Sequence, residues 1–371
     1  MSARRIRRRR AALAVALGAV AAAVGVHTTL DEGSSKADGV DASKLSVAQL
    51  AGERLVAGFA SRQPPAALRR LIHQGRIAGV VLFSNNFSDP GEARRLARAL
   101  QSIRRSPGLR EPLLVMVDQE GGLVKRLPGA PLASAAQMGA RGESFSALQG
   151  GLTARNLRRA GINVDLAPVL DVGRAGGAIR DDQRSFGATA EKVSQTAVPF
   201  GVSLQKGGVA ATGKHFPGLG AATVNTDIGT ERIDLPLARL RTVDEAPFRD
   251  FSAAGGKVVM LSSAIYSAFS ERPAVLSPTV ATGELRDRVG FDGVSISDDL
   301  QSAAAQAFGG AAQVALAGAA AGTDLLLFRS YRAAARAGAG LQRALTTGKL
   351  PRAQFVGSAQ RVLDLRAGLR R

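Results

Sequence analysis

Carboxylates and cations recur in this sequence at one kind of place, directly after short apolar runs rich in β-branched residues. Asp118, Gln119 and Glu120 follow Leu113-Leu114-Val115-Met116-Val117, and Asp171 follows Val169-Leu170. Lys214 and His215 end the run that begins at Val209, Asp298 and Asp299 follow Val294-Ser295-Ile296-Ser297, and Arg329 and Ser330 follow Leu325-Leu326-Leu327-Phe328. Ser84-Asn85-Asn86 and Ser262-Ser263 hold the same place after two further runs. Any one of these residues is explained equally well as a cap of the next helix, which Asp, Asn and Ser favour. Seven such clusters in one chain argue for groups that converge on a shared site.

The chemistry open to such a site is narrow. Cysteine is absent, which removes thiol catalysis, thiolate metal ligation and a disulfide framework, and three histidines are too few for a multi-histidine metal centre. No glycine-rich dinucleotide fingerprint follows an early strand, since Glu120-Gly121-Gly122 lacks the spacing. The composition therefore implies neither metal nor cofactor. What remains is several carboxylates beside Lys, Arg and His. Glycosidic cleavage uses such a set, one carboxylate attacking the anomeric centre and another protonating the leaving oxygen. An aldolase-type Schiff base on Lys214 is a second possibility, because a lysine at the end of a barrel strand can serve that chemistry.

The elements that would position these groups alternate along the chain. Eight β-rich runs, at 55–59, 80–83, 113–117, 163–170, 209–214, 257–262, 293–297 and 324–328, are separated by longer Ala/Leu/Arg segments of helical character. Eight parallel strands close a (β/α)8 TIM-type barrel, a single α/β domain that gathers its catalytic groups at the C-terminal ends of the strands. A chain of 371 residues, 45% of them hydrophobic, is long enough to fill such a core. The barrel domain is expected over 47–371.

Residues 1–27 read differently. Six arginines between Arg4 and Arg10 precede the uncharged segment 11–26, a basic n-region and an apolar h-region. This marks a signal peptide or an uncleaved N-terminal membrane anchor, and places the protein outside the cytoplasm, secreted or anchored. A polar linker is expected at 28–46. The formal charge is +19, of which the leader arginines account for six. The remaining excess is read as affinity for an anionic cell-envelope surface rather than for nucleic acid, since no basic motif interleaved with aromatics appears. A solvated surface reflecting compositional bias explains it equally well.

Several segments resemble family 3 glycoside hydrolases, in particular their β-N-acetylhexosaminidase branch. Lys214-His215-Phe216-Pro217-Gly218 looks like the lysine-histidine loop, Asp118-Gln119-Glu120-Gly121-Gly122 with Arg126 like the early substrate-binding segment, and Ile296-Ser297-Asp298-Asp299-Leu300 like the nucleophile strand. Ala167-Pro168-Val169-Leu170-Asp171-Val172 and Arg184-Ser185-Phe186-Gly187 fit in the same order. The resemblance implies Asp298 as the nucleophile and Asp118, Arg126, Arg184, Lys214 and His215 as contacts to the terminal sugar. It departs at the acid/base loop, where relatives carry a histidine and then Asp-Ser-His. Here Leu219 and Asn225-Thr226-Asp227 stand instead. Asp227 is the replacement candidate for the acid/base, with a solvated turn residue as the alternative. The expected activity is that of a retaining exo-glycosidase acting, as a monomer, on terminal β-linked N-acetylglucosamine or a related sugar of cell-wall-derived glycans. A sugar-binding envelope protein that has lost the acid/base loop is the alternative. With no Trp and two Tyr there is little stacking surface for a long polysaccharide, so a pocket for one or two sugars is expected.

Overall fold

The structure, a computed structural model, describes residues 39–369. The expected leader and the first part of the linker lie outside the described residues. Each of the eight apolar runs overlaps a strand: β1 (Leu55–Ala57), β2 (Gly79–Val81), β3 (Leu114–Val117), β4 (Val164–Asp165), β5 (Ala210–Phe216), β6 (Val258–Leu261), β7 (Val294–Ser297) and β8 (Leu326–Phe328). They pair in parallel, each with its neighbour in sequence, and β8 returns to β1 with Leu55 opposite Leu326. Between β7 and β8 the seam is thin: Ile296 bridges Leu325, and Leu327 N donates to Ser297 Oγ at 2.8 Å. The result is a nearly closed (β/α)8 barrel.

Strand β4 is shorter than its apolar run because Pro168 lacks an N–H and cannot donate to a ladder. The chain nonetheless stays beside β5, with Lys214 N donating to Pro168 O and Leu170 N to Lys214 O. Side chains alternate between two cores. Leu114, Met116, Val164, Leu166, Val258, Met260, Val294, Ile296, Leu325 and Leu327 fill the barrel interior, while Val115, Val117, Val259 and Leu261 face the surrounding helices. Those helices follow their sequence patterns. In Pro90–Gln101, Asp89 caps the N-terminus by accepting from Gly91 N and Glu92 N, proline occupies the first turn, and Ala93, Leu96, Ala97 and Leu100 form the buried stripe.

The C-terminal helix Arg352–Gly368 closes the base of the barrel. Val362 belongs to the interior core, and Leu365 and Leu369 pack against it. The end of the expected linker is part of the same construction. Ala42 and Leu45 are buried, Ala42 N donates to Gln360 Oε1, and Arg352 donates to the carbonyls of Ser43 and Leu45. The folded domain thus begins before residue 47, because two small apolar residues in a polar stretch suffice to dock a 3-10 turn on a helix.

Candidate active site

The alternation that fills the barrel also aims the polar groups at its mouth. Leu114 and Met116 point inward, so Asp118 does; Val294 and Ile296 point inward, so Asp298 does; Leu325 and Leu327 lead in the same way to Arg329. On β5 the pairing with β6 shifts register between Lys214 and Phe216. Such an irregularity lets consecutive side chains serve one site, here Lys214 and His215. Together these groups line a pocket of about 300 Å³ whose floor is the top interior layer of Val81, Leu166, Met260 and Leu327. All seven residues singled out from sequence, Asp118, Arg126, Arg184, Lys214, His215, Asp227 and Asp298, line it.

One wall is an ion-pair network. Lys214 Nζ lies 2.8 Å from Asp118 Oδ1 and 2.6 Å from Glu120 Oε1, and Arg184 grips both oxygens of Glu120 at 2.9 Å. Arg126 stands 3.6 Å from Asp118 Oδ2. Burial pushes the carboxyls of Asp118 and Glu120 up, but Lys214 with Arg126 and Arg184 with Lys214 outweigh it, and both lie below the ordinary carboxylate range. Burial pushes Lys214 down, and its two carboxylate partners more than reverse this, so its pKa is raised. A lysine held as ammonium between two carboxylates has no lone pair for a carbonyl, which removes the support for a Schiff-base lyase.

A second wall is a histidine–carboxylate pair. Asp171 Oδ1 accepts from the backbone N–H groups of His215 and Leu219, and Asp171 Oδ2 sits 2.7 Å from His215 Nδ1. A carboxylate accepting three hydrogen bonds is acceptor-only, so Nδ1 carries the proton in that contact. His215 is therefore oriented by a buried partner while its ring lines the pocket. Leu219, at the position where the family resemblance implied a histidine, is buried and contributes an apolar side chain and that backbone donor.

Opposite these lie the remaining acids. Asp298 Oδ1 accepts from Asp299 N at 2.8 Å, which fixes the carboxylate at the end of β7. Asp299 pairs with Arg329 and accepts from Gln301 N. Ser302, not Asp299, caps the following helix Ala303–Gln306. Burial, together with Asp298 and Asp227, pushes the Asp299 carboxyl up to about 6. Asp227 is carried by a loop that docks on this element, with Ala303 N donating to Asp227 O and Ala304 N to Thr226 O. Burial and then the neighbouring charge of Asp298 raise the Asp227 carboxyl above its ordinary value. The turn reading of the Asn-Thr-Asp segment also has substance, since Asn225 Oδ1 accepts from Asp227 N at 2.9 Å.

Sequence reasoning placed Glu120, Asp171 and Arg329 among the converging strand-end polar groups but did not count them among the seven site residues. Asp182 and Asn225 also line the pocket from loops for which strand periodicity carries no signal. Among the described residues, no cluster of three or more His, Asp or Glu is arranged to hold a metal ion.

Comparison with known proteins matches residues 43–365 to the glycosyl hydrolase family 3 N terminal domain. A protein of Arthroderma benhamiae described as an uncharacterized secreted glycosyl hydrolase is 35% identical over 336 residues, covering 88% of this chain and 94% of its own length. A beta-hexosaminidase of Thioalkalivibrio sulfidiphilus is 35% identical over 268 residues, covering 70% and 75% respectively. Among solved structures, a glycoside hydrolase family 3 beta-N-acetylglucosaminidase from Paenibacillus superposes with a TM-score of 0.82 at 31% identity, covering 88% of this chain. This chain spans 63% of that one. The beta-N-acetylhexosaminidase of Beutenbergia cavernae gives a TM-score of 0.80 at 29% identity, covering 87% of this chain and 98% of its own.

Proposed function

The chain belongs to glycosyl hydrolase family 3, and from that premise we propose that it is a retaining exo-glycosidase removing a terminal β-linked N-acetylglucosamine, or a closely related sugar, from cell-wall-derived glycans outside the cytoplasm. The observation that carries this reading is the convergence of Asp298 and Asp227 on one small pocket lined otherwise by charged hydrogen-bonding groups. Asp298 is fixed at a strand end, and Asp227 lies close enough for the charge of Asp298 to raise its carboxyl. A pocket of about 300 Å³ sits at the small end for ligand sites, which suits one terminal sugar rather than a polysaccharide.

The reaction divides into two displacements. The Asp298 carboxylate attacks the anomeric carbon and forms a glycosyl ester, while the glycosidic bond breaks and its oxygen takes the proton of Asp227. Asp227, now ionised, removes a proton from water. That water attacks the anomeric carbon, expels Asp298 as carboxylate, and releases the sugar with its original configuration. Lys214, Arg126, Asp118, Arg184 and His215 hold the sugar hydroxyls. The ammonium and guanidinium groups leave this wall rich in donors, and Asp118 supplies an acceptor.

Replacing Asp298 tests the assignment. Asp298→Asn keeps the shape and removes the nucleophile, so turnover of an aryl N-acetylglucosaminide should fall by several orders of magnitude while sugar binding by calorimetry persists. A fluorosugar inactivator should label Asp298 in the unaltered protein, as read by peptide mass spectrometry. Label on another residue, or undiminished turnover in the variant, would overturn the assignment. Binding of N-acetylglucosamine with no turnover even of the aryl glycoside by the unaltered protein would identify a sugar-binding protein instead.

A further inference from the structure

We propose that the base of the barrel, opposite the pocket, docks on an anionic lipid bilayer and leaves the active-site mouth facing away from it. In a (β/α)8 barrel each helix runs antiparallel to its strand, so the C-terminal ends of the helices share the base with the N-terminal ends of the strands. Arg98 in the last turn of helix Pro90–Gln101, with Arg94 one turn earlier, meets Arg158 and Arg159 at the end of helix Glu143–Arg159 around a cleft of about 270 Å³ that no carboxylate lines. Arg94, Arg98 and Arg159 are exposed, and among the described residues none of the three has an ion-pair partner. Arg94 and Arg98 stand four residues apart on one helix face, where like charges cost a few tenths of a kcal/mol. Local helix stability therefore does not account for the arrangement.

Two further observations point to a lipid surface. A neighbouring cleft shares Arg158 and adds Lys206 and Lys257, both exposed, with Asp364 as its acidic member. This extends the basic area across the starts of β5 and β6 to the C-terminal helix. The chain also enters the folded domain at this end, where Val40 O accepts from Gln360 and Ala42 N donates to it. The sequence just upstream of that entry holds an uncharged segment at 11–26 preceded by six arginines. A bilayer accounts for both the guanidinium field and the uncharged segment 11–26 of the sequence. A nucleic acid accounts only for the first. Headgroup attraction of this kind acts within a Debye length, so the arginines must lie near the contacting face, which Arg98 and Arg159 reach from the last turns of their helices.

The test uses the full chain and its variant Arg94→Gln/Arg98→Gln/Arg159→Gln. Partitioning onto vesicles of mixed phosphatidylglycerol and phosphatidylcholine, read by co-sedimentation at moderate salt, should weaken on the order of a hundredfold in the variant. The gap should vanish on pure phosphatidylcholine and at high salt, where the leader alone governs binding. Thermal unfolding of the variant should match that of the unaltered chain, which makes the readout independent of catalysis. Equal partitioning of the two proteins on anionic vesicles overturns the proposal. So does binding of duplex DNA that depends on these arginines while vesicle binding does not. If the bound protein is active, a soluble aryl glycoside should still be hydrolysed at its free-solution rate; a rate abolished by vesicles would place the mouth against the surface and overturn the orientation.

Discussion

At the scale of single residues, the altered loop is where sequence and geometry bear hardest on one another. An acid that must donate a proton at neutral pH needs a raised pKa, and Asp227 has one for two stated reasons, burial first and the charge of Asp298 second. The sign of the pH dependence follows. The protonated form is complete below the raised pKa and is lost as pH rises through it, so kcat/KM on a natural disaccharide should fall along an alkaline limb set by Asp227. An aryl glycoside with an acidic phenol needs little protonation, and its glycosylation rate should show no such limb. Asp227→Ala should cost roughly 10²- to 10⁴-fold on the disaccharide and much less on aryl-glycoside glycosylation, with azide partly restoring the slowed deglycosylation. Stopped-flow and steady-state rates on both substrates distinguish this from a turn role for the Asn225–Asp227 segment, which would lower both equally. Asp118, Lys214 and Asp298 were legible because a two-residue alternation carries an inward aim from the apolar run to the polar residue after it. Arg126 and Arg184 come from loops, and only resemblance to a family pointed to them. The bidentate grip of Arg184 on Glu120 was invisible because a sequence separation of 64 carries no periodic signal.

At the scale of elements, all eight strands were legible as apolar runs, whereas their lengths were not. The run at 163–170 contains a two-residue strand, since the proline that follows Ala167 removes a donor and the ladder continues only through isolated contacts. Helix packing was less legible still, because it turns on where glycine permits close approach. Helices Glu143–Arg159 and Ala190–Lys206 touch at Gly150, where an added Cβ would sit 2.2 Å from Phe200 O. Alanine is the better helix former by roughly 1 kcal/mol, but a backbone carbonyl cannot rotate out of the way as a side chain can. Strain should win, and Gly150→Ala should lose about 1–3 kcal/mol in urea denaturation. At Gly151, one residue further along the same helix, nothing lies within 4 Å of the added Cβ. Gly151→Ala should therefore gain about 0.5–1 kcal/mol. The opposite signs at adjacent positions separate packing from propensity.

At the scale of the whole molecule, the barrel has two differently built ends. The mouth concentrates charged groups in a solvent-reachable pocket, while the base is closed by the C-terminal helix and held there by buried ion pairs. Arg366 is fully buried; it pairs with Glu53 and donates to the carbonyls of Glu111 and Pro112 at 3.0 and 2.9 Å. Asp324, also buried, takes Arg286 from one side and Arg361 of the C-terminal helix from the other. The helix is thus tied to the segment before β1, to the segment before β3 and to the start of β8, so its docking fixes the circumference of the barrel from below. A buried pair adds little net stability over an apolar pair, yet removing one partner leaves a desolvated charge. Arg366→Ala should accordingly lose about 3–5 kcal/mol by denaturation, with Glu53 stranded in the core. Glu53→Leu combined with Arg366→Met removes the stranded charge and should recover much of that loss, short of the two hydrogen bonds to the carbonyls of Glu111 and Pro112. Because the pocket lies at the far end, the double variant should keep its activity on a soluble aryl glycoside below its unfolding temperature. A double variant no more stable than Arg366→Ala would show that the lost carbonyl hydrogen bonds, rather than the unpaired carboxylate, set the cost of opening the base.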